Sequence, residues 1–158
     1  MLFLLFQIGN DRYALEASRV VEVVPLLNLN KIPQAPKGVA GFFYYRGRPV
    51  PAVDLCQLNQ DRPARERLST RIIVINHPDA GGCNRLLGLI AEQATGLLRK
   101  ETNDFAGADS QISVARGLGP VIMDERGAIQ WIHEQRLLPE PVRNLLFSEK
   151  TGLIHDGD

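Results

Sequence analysis

VAGFFYYRGRPVPAVDL, residues 39–55, is the stretch on which the fold of this chain turns. It is the densest apolar cluster in the sequence, with Gly38 and Gly41 at its start and Arg46-Gly47 in its middle. Residues 39–45 are small and aromatic, which suits a strand. Arg46-Gly47 predicts a tight turn, because glycine takes positive φ without steric penalty. Residues 48–53 resume an extended pattern but carry Pro49 and Pro51. Proline cannot donate to a ladder, so this second strand is expected at an edge or a bulge. Asp54 stands as the N-cap of a short helix opening at Leu55-Cys56-Gln57-Leu58.

Working outward toward the N-terminus, residues 2–8 are apolar, Gly9-Asn10-Asp11 is a turn signal, and residues 12–15 are extended again. This predicts an opening hairpin. Residues 16–19 suit one helical turn. Residues 20–25 are β-branched with Glu22 isolated among them, and residues 26–37 are loop-like. On the other side, residues 59–69 are polar, with Arg62, Arg65 and Arg67 set against Asp61 and Glu66, and predict a solvated surface connection.

Residues 70–76 (TRIIVIN) and 85–91 (RLLGLIA) are strands, separated by a loop at 77–82. Gly88 inside the second marks a bulge or a close approach. Residues 94–98 continue the sheet, 99–111 form a long polar connection, and 112–115 a short extended piece. Residues 121–124 and 128–133 pair as a hairpin across Glu125-Arg126-Gly127. Residues 135–138 and 142–147 form helical turns broken by Pro139 and Pro141, and 148–158 are a polar, disordered tail. Many short strands with little helix predict an all-β chain, a barrel or a sandwich, with one domain over 1–147.

Composition fits one globular domain: 158 residues, 44% apolar and 23% charged. A chain of this size buries roughly two-thirds of its unfolded surface and needs no metal or disulfide staple. With 18 basic and 18 acidic residues, the formal net charge is zero. That argues against a general nucleic-acid binder and against attraction to anionic lipid. Two cysteines, Cys56 and Cys83, are too few for a secreted disulfide framework and predict free thiols. The apolar N-terminus is too short to span a membrane and lacks a basic n-region, so a cytoplasmic protein is expected.

No catalytic constellation has adequate spacing. His77, Asp79 and Cys83 lie near one another but form no CxxC or HExxH pattern, so a loop is favoured over a metal site. His133-Glu134 closes a strand with no nucleophile beside it, which predicts a surface histidine. Gly81-Gly82 and Gly117-x-Gly119 lack the Lys-Ser/Thr and helix of a phosphate loop. Asp104 and Asp109 lack the oxygen ladder of a calcium loop. Cys56, in an apolar Leu-x-x-Leu setting, predicts a buried, inert thiol. Arg62, Arg65, Arg67 and Arg71 form the basic cluster. It predicts a solvated linker, and the alternative is a small-barrel nucleic-acid module without an aromatic stacking platform.

The order Pro-x-x-Pro-x-x-Val-x-Gly, an aromatic run, then Arg-Gly-x-x-Val-Pro-x-x-Asp-Leu resembles the heart of the CheW-like domain. It is carried by Pro33, Pro36, Val39, Gly41, Arg46, Gly47, Val50, Pro51, Asp54 and Leu55. Weaker likeness extends over residues 3–147: Tyr13-Ala14-Leu15, the Val20-x-Glu22-Val23 step, the Gly88-to-Glu92 strand and the closing hairpin with Gly117 and Gly119. The resemblance implies two SH3-like five-stranded β-barrel subdomains sharing an apolar interface, finished by a C-terminal helix.

It also implies a non-enzymatic adaptor without cofactor or metal, coupling a methyl-accepting chemoreceptor to the regulatory domain of a CheA-type histidine kinase. Such an adaptor works in the cytoplasm, at receptor arrays on the inner face of the membrane. Matched residue by residue, the receptor-facing positions are Val20, Glu22 and Leu97, with core burial as the alternative for Val20 and Leu97. Arg46, Gly47 and Asp54 order the turn and its loops, and Arg46 either holds loop carbonyls or touches the partner. Glu22 must face solvent or a partner, since an unpaired buried carboxylate is costly. Three departures from the family pattern stand out: Tyr44-Tyr45 for Asn-Leu, Cys56 for Arg, and Glu92 for Asp. They bear on which array is served, and flagellar, pilus and second-messenger arrays remain open.

Overall fold

The structure, a computed structural model, describes residues 1–26, 28–78, 84–101, 118–133, 138 and 142. Strands β1 (Leu2–Ile8) and β2 (Asp11–Glu16) form the opening hairpin. A 3-10 turn at Ala17–Arg19 leads into β3 (Val20–Pro25). The central unit is β4 (Val39–Tyr45), β5 (Arg48–Asp54) and helix α1 (Leu55–Gln60). Then come β6 (Arg71–Pro78), the 16-residue β7 (Asn84–Arg99), β8 (Leu118–Asp124) and β9 (Gly127–Ile132).

Strand β7 organises the rest. Its first half pairs antiparallel with β6 and parallel with β5, and its second half pairs antiparallel with β1. Two five-stranded groups therefore share it: β3-β6-β7-β5-β4 and β7-β1-β2-β9-β8. Between the halves, Gln93 takes φ of 51°, the β1–β7 register shifts between Leu5 and Gln7, and the Ala94 N–H donates to Ser69 O at 3.0 Å. This irregularity lets one strand serve both groups. The strand count matches the expected pair of subdomains. Closure does not: among the described residues no ladder joins β3 to β4 or β8 to β7, so the sheet stays open.

Strand alternation builds three cores. On β6, Ile72 and Val74 enter one core with Phe43, Tyr45, Val50, Ala52 and Ile90, while Ile73 and Ile75 point the other way. On β1, Phe3 joins Ala14, Ile122, Ile129 and Trp131. The opposite faces, Leu4, Phe6 and Ile8 of β1 and Leu87, Leu89 and Ala91 of β7, meet in a shared core between the groups. Leu138 and Val142 are buried in that same core. The expected C-terminal helix, the tail and the boundary at 147 otherwise lie outside the described residues, as do Asp79, Gly81-Gly82, Cys83, Asp104, Asp109, the 112–115 piece, Gly117 and Glu134.

Three local expectations are corrected. Strand β5 is not an edge strand throughout: it pairs with β4 along its length and with β7 over Ala52, Val53 and Asp54. The β7 ladder begins just past Pro49 and Pro51, so the prolines occupy the stretch with a neighbour on one side only. His77 and Pro78 belong to β6 rather than to a loop, because β7 runs long enough to pair with them. The connection between α1 and β6 is also not simply solvated. Ala64 packs against two cores and Thr70 is buried.

Candidate functional site

The turn between β4 and β5 brings the first candidate group together. Arg46 and Gly47 both have positive φ, 51° and 79°, which gives the tight turn a twist matching its strands. Just before it, Tyr45 is buried as a ring, and its hydroxyl donates to Glu22 Oε1 at 2.8 Å. Arg46 Nη2 lies 3.5 Å from the same oxygen, and the Arg46 guanidinium sits 5.0 Å from the centre of the Tyr45 ring. The hydrogen bond to the Glu22 carboxylate is the main reason the Tyr45 phenol is shifted upward. Glu22 reaches this point because β3 pairs with β6, placing Glu22 opposite Val74.

The other sequence-picked residues lie elsewhere on the strands or play structural parts. Val20 is half-buried and packs against the shared core. Leu97 lies opposite Leu4 of that core on β1, yet 65% of it is exposed, so core burial does not explain it. Asp54 is buried and caps α1: its Oδ1 accepts from the Cys56 N–H at 2.9 Å and the Gln57 N–H at 3.2 Å. Its Oδ2 accepts from the Ala64 N–H at 2.8 Å, and its own N–H donates to Gly38 O at 2.7 Å. One residue, through its carboxylate and its backbone N–H, thus ties the helix start to the loops on either side.

The basic cluster is not a patch. Arg62 donates to both oxygens of the buried Glu92, Nη2 to Oε1 at 3.0 Å and Nη1 to Oε2 at 3.3 Å. The Arg65 N–H donates to Glu92 Oε2 at 2.8 Å, and Arg71 Nη1 donates to Ala94 O at 3.4 Å. Two of the four guanidiniums are therefore committed to the fold, while Arg65 and Arg67 are exposed. That removes the ground for the nucleic-acid alternative.

Chemistry of other kinds finds little support. Among the described residues no three of His, Cys, Asp and Glu are grouped to hold a metal. Cys56 is fully buried, and burial first, then the neighbouring Glu92 carboxylate, push its thiol up to about 11. A thiol so disposed is a poor nucleophile. His133 is exposed at a strand end, its ring 5.5 Å from that of Trp131. A cleft of about 160 Å³ opens where β1 and β7 change register, lined by residues such as Gln7, Gln93, Thr95 and Arg126, without a nucleophile–base pair. No helix among the described residues is long and apolar enough to cross a membrane.

The sequence profile of the CheW-like domain matches residues 2–141. The chain belongs to the CheW-like domain family. Chemotaxis protein CheW of Helicobacter pylori is 26% identical over 103 residues, 65% of this chain and 59% of that protein. The chain thus aligns with less than two-thirds of that relative. The crystal structure of the scaffolding protein TtCheW from Thermoanaerobacter tengcongensis superimposes with a TM-score of 0.72 at 21% identity, covering 89% of each chain. That likeness fixes the fold as the CheW type.

Within the CheW-like family pattern, the three departures of this chain gain structural meaning. Tyr45, standing where the family has Leu, keeps its ring in the core and adds a hydroxyl that binds Glu22. Tyr44 beside it is 64% exposed. Glu92 takes the place of an Asp and reaches the Arg62 guanidinium. Cys56, where Arg is common, lies in the core next to Glu92. Sequence reasoning had no signal for the Glu22–Tyr45 or Arg62–Glu92 contacts, since tertiary packing of segments far apart in sequence brings these residues together.

Proposed function

We propose that this CheW-like chain is a non-enzymatic adaptor that couples a methyl-accepting chemoreceptor to a CheA-type histidine kinase, in the cytoplasm at a receptor array. The observation that carries the proposal is the family match over residues 2–141. The scaffold and chemotaxis names of the relatives support it. The physical demand is modest: a face with an apolar rim and a few fixed charges suffices to dock a helical hairpin. Val20, Glu22 and Leu97 are the proposed receptor-facing residues. Half-buried Val20 and exposed Leu97 offer apolar contact, and Glu22 offers charge. Arg46, Gly47 and Asp54 hold the turn and its loops in place.

A pull-down of the full chain with the regulatory domain of the CheA-type kinase and the cytoplasmic tip of a receptor from the same genome tests the proposal. Capture of both is expected. Capture of neither ends the adaptor reading. Glu22→Lys is expected to weaken capture of the tip while leaving the circular dichroism unchanged, and unaltered capture would remove Glu22 from the receptor face.

A further inference from the structure

We infer that Tyr45 is the positioning residue of a charge-paired docking point, one that fits a partner helix carrying a basic and an acidic side chain one turn apart. The inference rests on the adaptor reading and names the chemistry of its receptor face. The Tyr45 ring is anchored in the core with Phe43 and Val50, only 6% exposed, while its hydroxyl reaches Glu22 Oε1 at 2.8 Å. Arg46 Nη2 approaches that same Oε1 at 3.5 Å. Both contacts fall on one oxygen, and Oε2 of Glu22 has no partner among the described residues. The side chains of Glu22 and Arg46 are 47% and 76% exposed.

A glutamate on an exposed strand ordinarily loses rotamer freedom when it binds. Here a buried ring fixes it beforehand and leaves its second oxygen free to accept. A leucine at position 45 would fill the same core without holding the acid, so the hydroxyl answers to no packing need. The face then presents an acceptor and a cation within 3.5 Å of each other. A lone incoming cation is opposed by Arg46, and a lone incoming anion by Glu22. A pair of opposite charges, spaced like side chains at i and i+4 of a helix, meets both favourably.

The test titrates the full chain with a soluble receptor-tip hairpin from the same genome, and in parallel with the kinase regulatory domain. Tyr45→Phe and Glu22→Ala should each weaken tip binding about three- to tenfold, a range set by one hydrogen bond to a half-exposed charge. Binding to the kinase domain should not change. Adding Tyr45→Phe to Glu22→Ala should cause no further loss, because the hydroxyl acts through the carboxylate. An unaffected Tyr45→Phe, or a second full loss in the Glu22→Ala background, overturns the inference.

Exchanging the charges, Glu22→Arg with Arg46→Glu in one chain, keeps the internal pair but reverses its order. It should abolish most tip binding, and retained binding likewise overturns the inference. An unsubstituted chain that binds the kinase domain and not the tip overturns the docking point alone. One that binds neither overturns the adaptor reading beneath it.

Discussion

Arg62 and Glu92, 30 positions apart, close on each other through two hydrogen bonds and fasten the connection between α1 and β6 onto β7. The Arg62 guanidinium, helped by the Arg65 N–H, outweighs the effect of burial and pulls the Glu92 carboxyl down to about 2. A group whose folded value lies below its ordinary 4.5 stabilises fully above that value, and the contribution fades as pH falls toward 2.

Glu92→Gln should therefore destabilise the protein at pH 7, by on the order of 1–2 kcal/mol once the partial exposure of Arg62 is allowed for. The deficit relative to the unsubstituted chain should shrink between pH 4.5 and 3. Urea unfolding at pH 7, 5 and 3 measures this. A deficit constant across those three points would show that lost packing, not the ion pair, is responsible.

Cys56 sits beneath that pair, fully buried, with its thiol pushed up to about 11 by burial and by Glu92. It should resist iodoacetamide at pH 8 in the folded state and be modified at the rate of unfolding. Peptide mapping after timed labelling reads Cys56 separately from Cys83. Rapid modification under native conditions would mean that the shared core opens locally far more often than its packing implies.

The central unit was legible because each of its parts follows from neighbouring residues: Gly47 for the turn, Asp54 for the cap, and alternation for the strands. The contacts that give the site its character were not. Tyr45 meets Glu22 across 23 positions, and Arg12 pairs with Asp124 across 112, Nη1 donating to Oδ2 at 2.8 Å. These partners are set by strand register and by the parallel β2–β9 pairing, neither of which local pattern encodes. The same blindness explains the connection at 59–69. It reads as solvated because it is polar, yet its arginine finds a carboxylate buried on a distant strand.

Asp54 allows the cap and the loop anchor to be separated. Asp54→Asn keeps an oxygen to accept from the Cys56 and Gln57 N–H groups but sets an amide donor against the Ala64 N–H. It should cost about 1–2 kcal/mol, and Asp54→Ala, which loses every acceptor, about 2–3 kcal/mol. In hydrogen exchange, Asp54→Asn should speed exchange of the Ala64 amide and leave α1 protected. Equal loss in both places would mean that cap and anchor act as one unit.

Two glycines, Gly47 in the motif turn and Gly88 on β7, should fail for opposite reasons. At Gly47 an added Cβ meets nothing within 4 Å, but φ is 79°, so Gly47→Ala pays only backbone strain, about 1 kcal/mol. At Gly88 no positive φ applies, yet a Cβ would stand 2.7 Å from Phe43 Cε1 and 2.8 Å from Ile72 Cγ2. Overpacking of that kind costs about 1–3 kcal/mol. Trimming the obstructing ring separates the two mechanisms. Phe43→Leu should restore part of the stability lost in Gly88→Ala and none of that lost in Gly47→Ala, as read from denaturant midpoints of the three single and two double variants. Rescue at Gly47, or additive losses at Gly88, would show that these causes have been assigned to the wrong glycines.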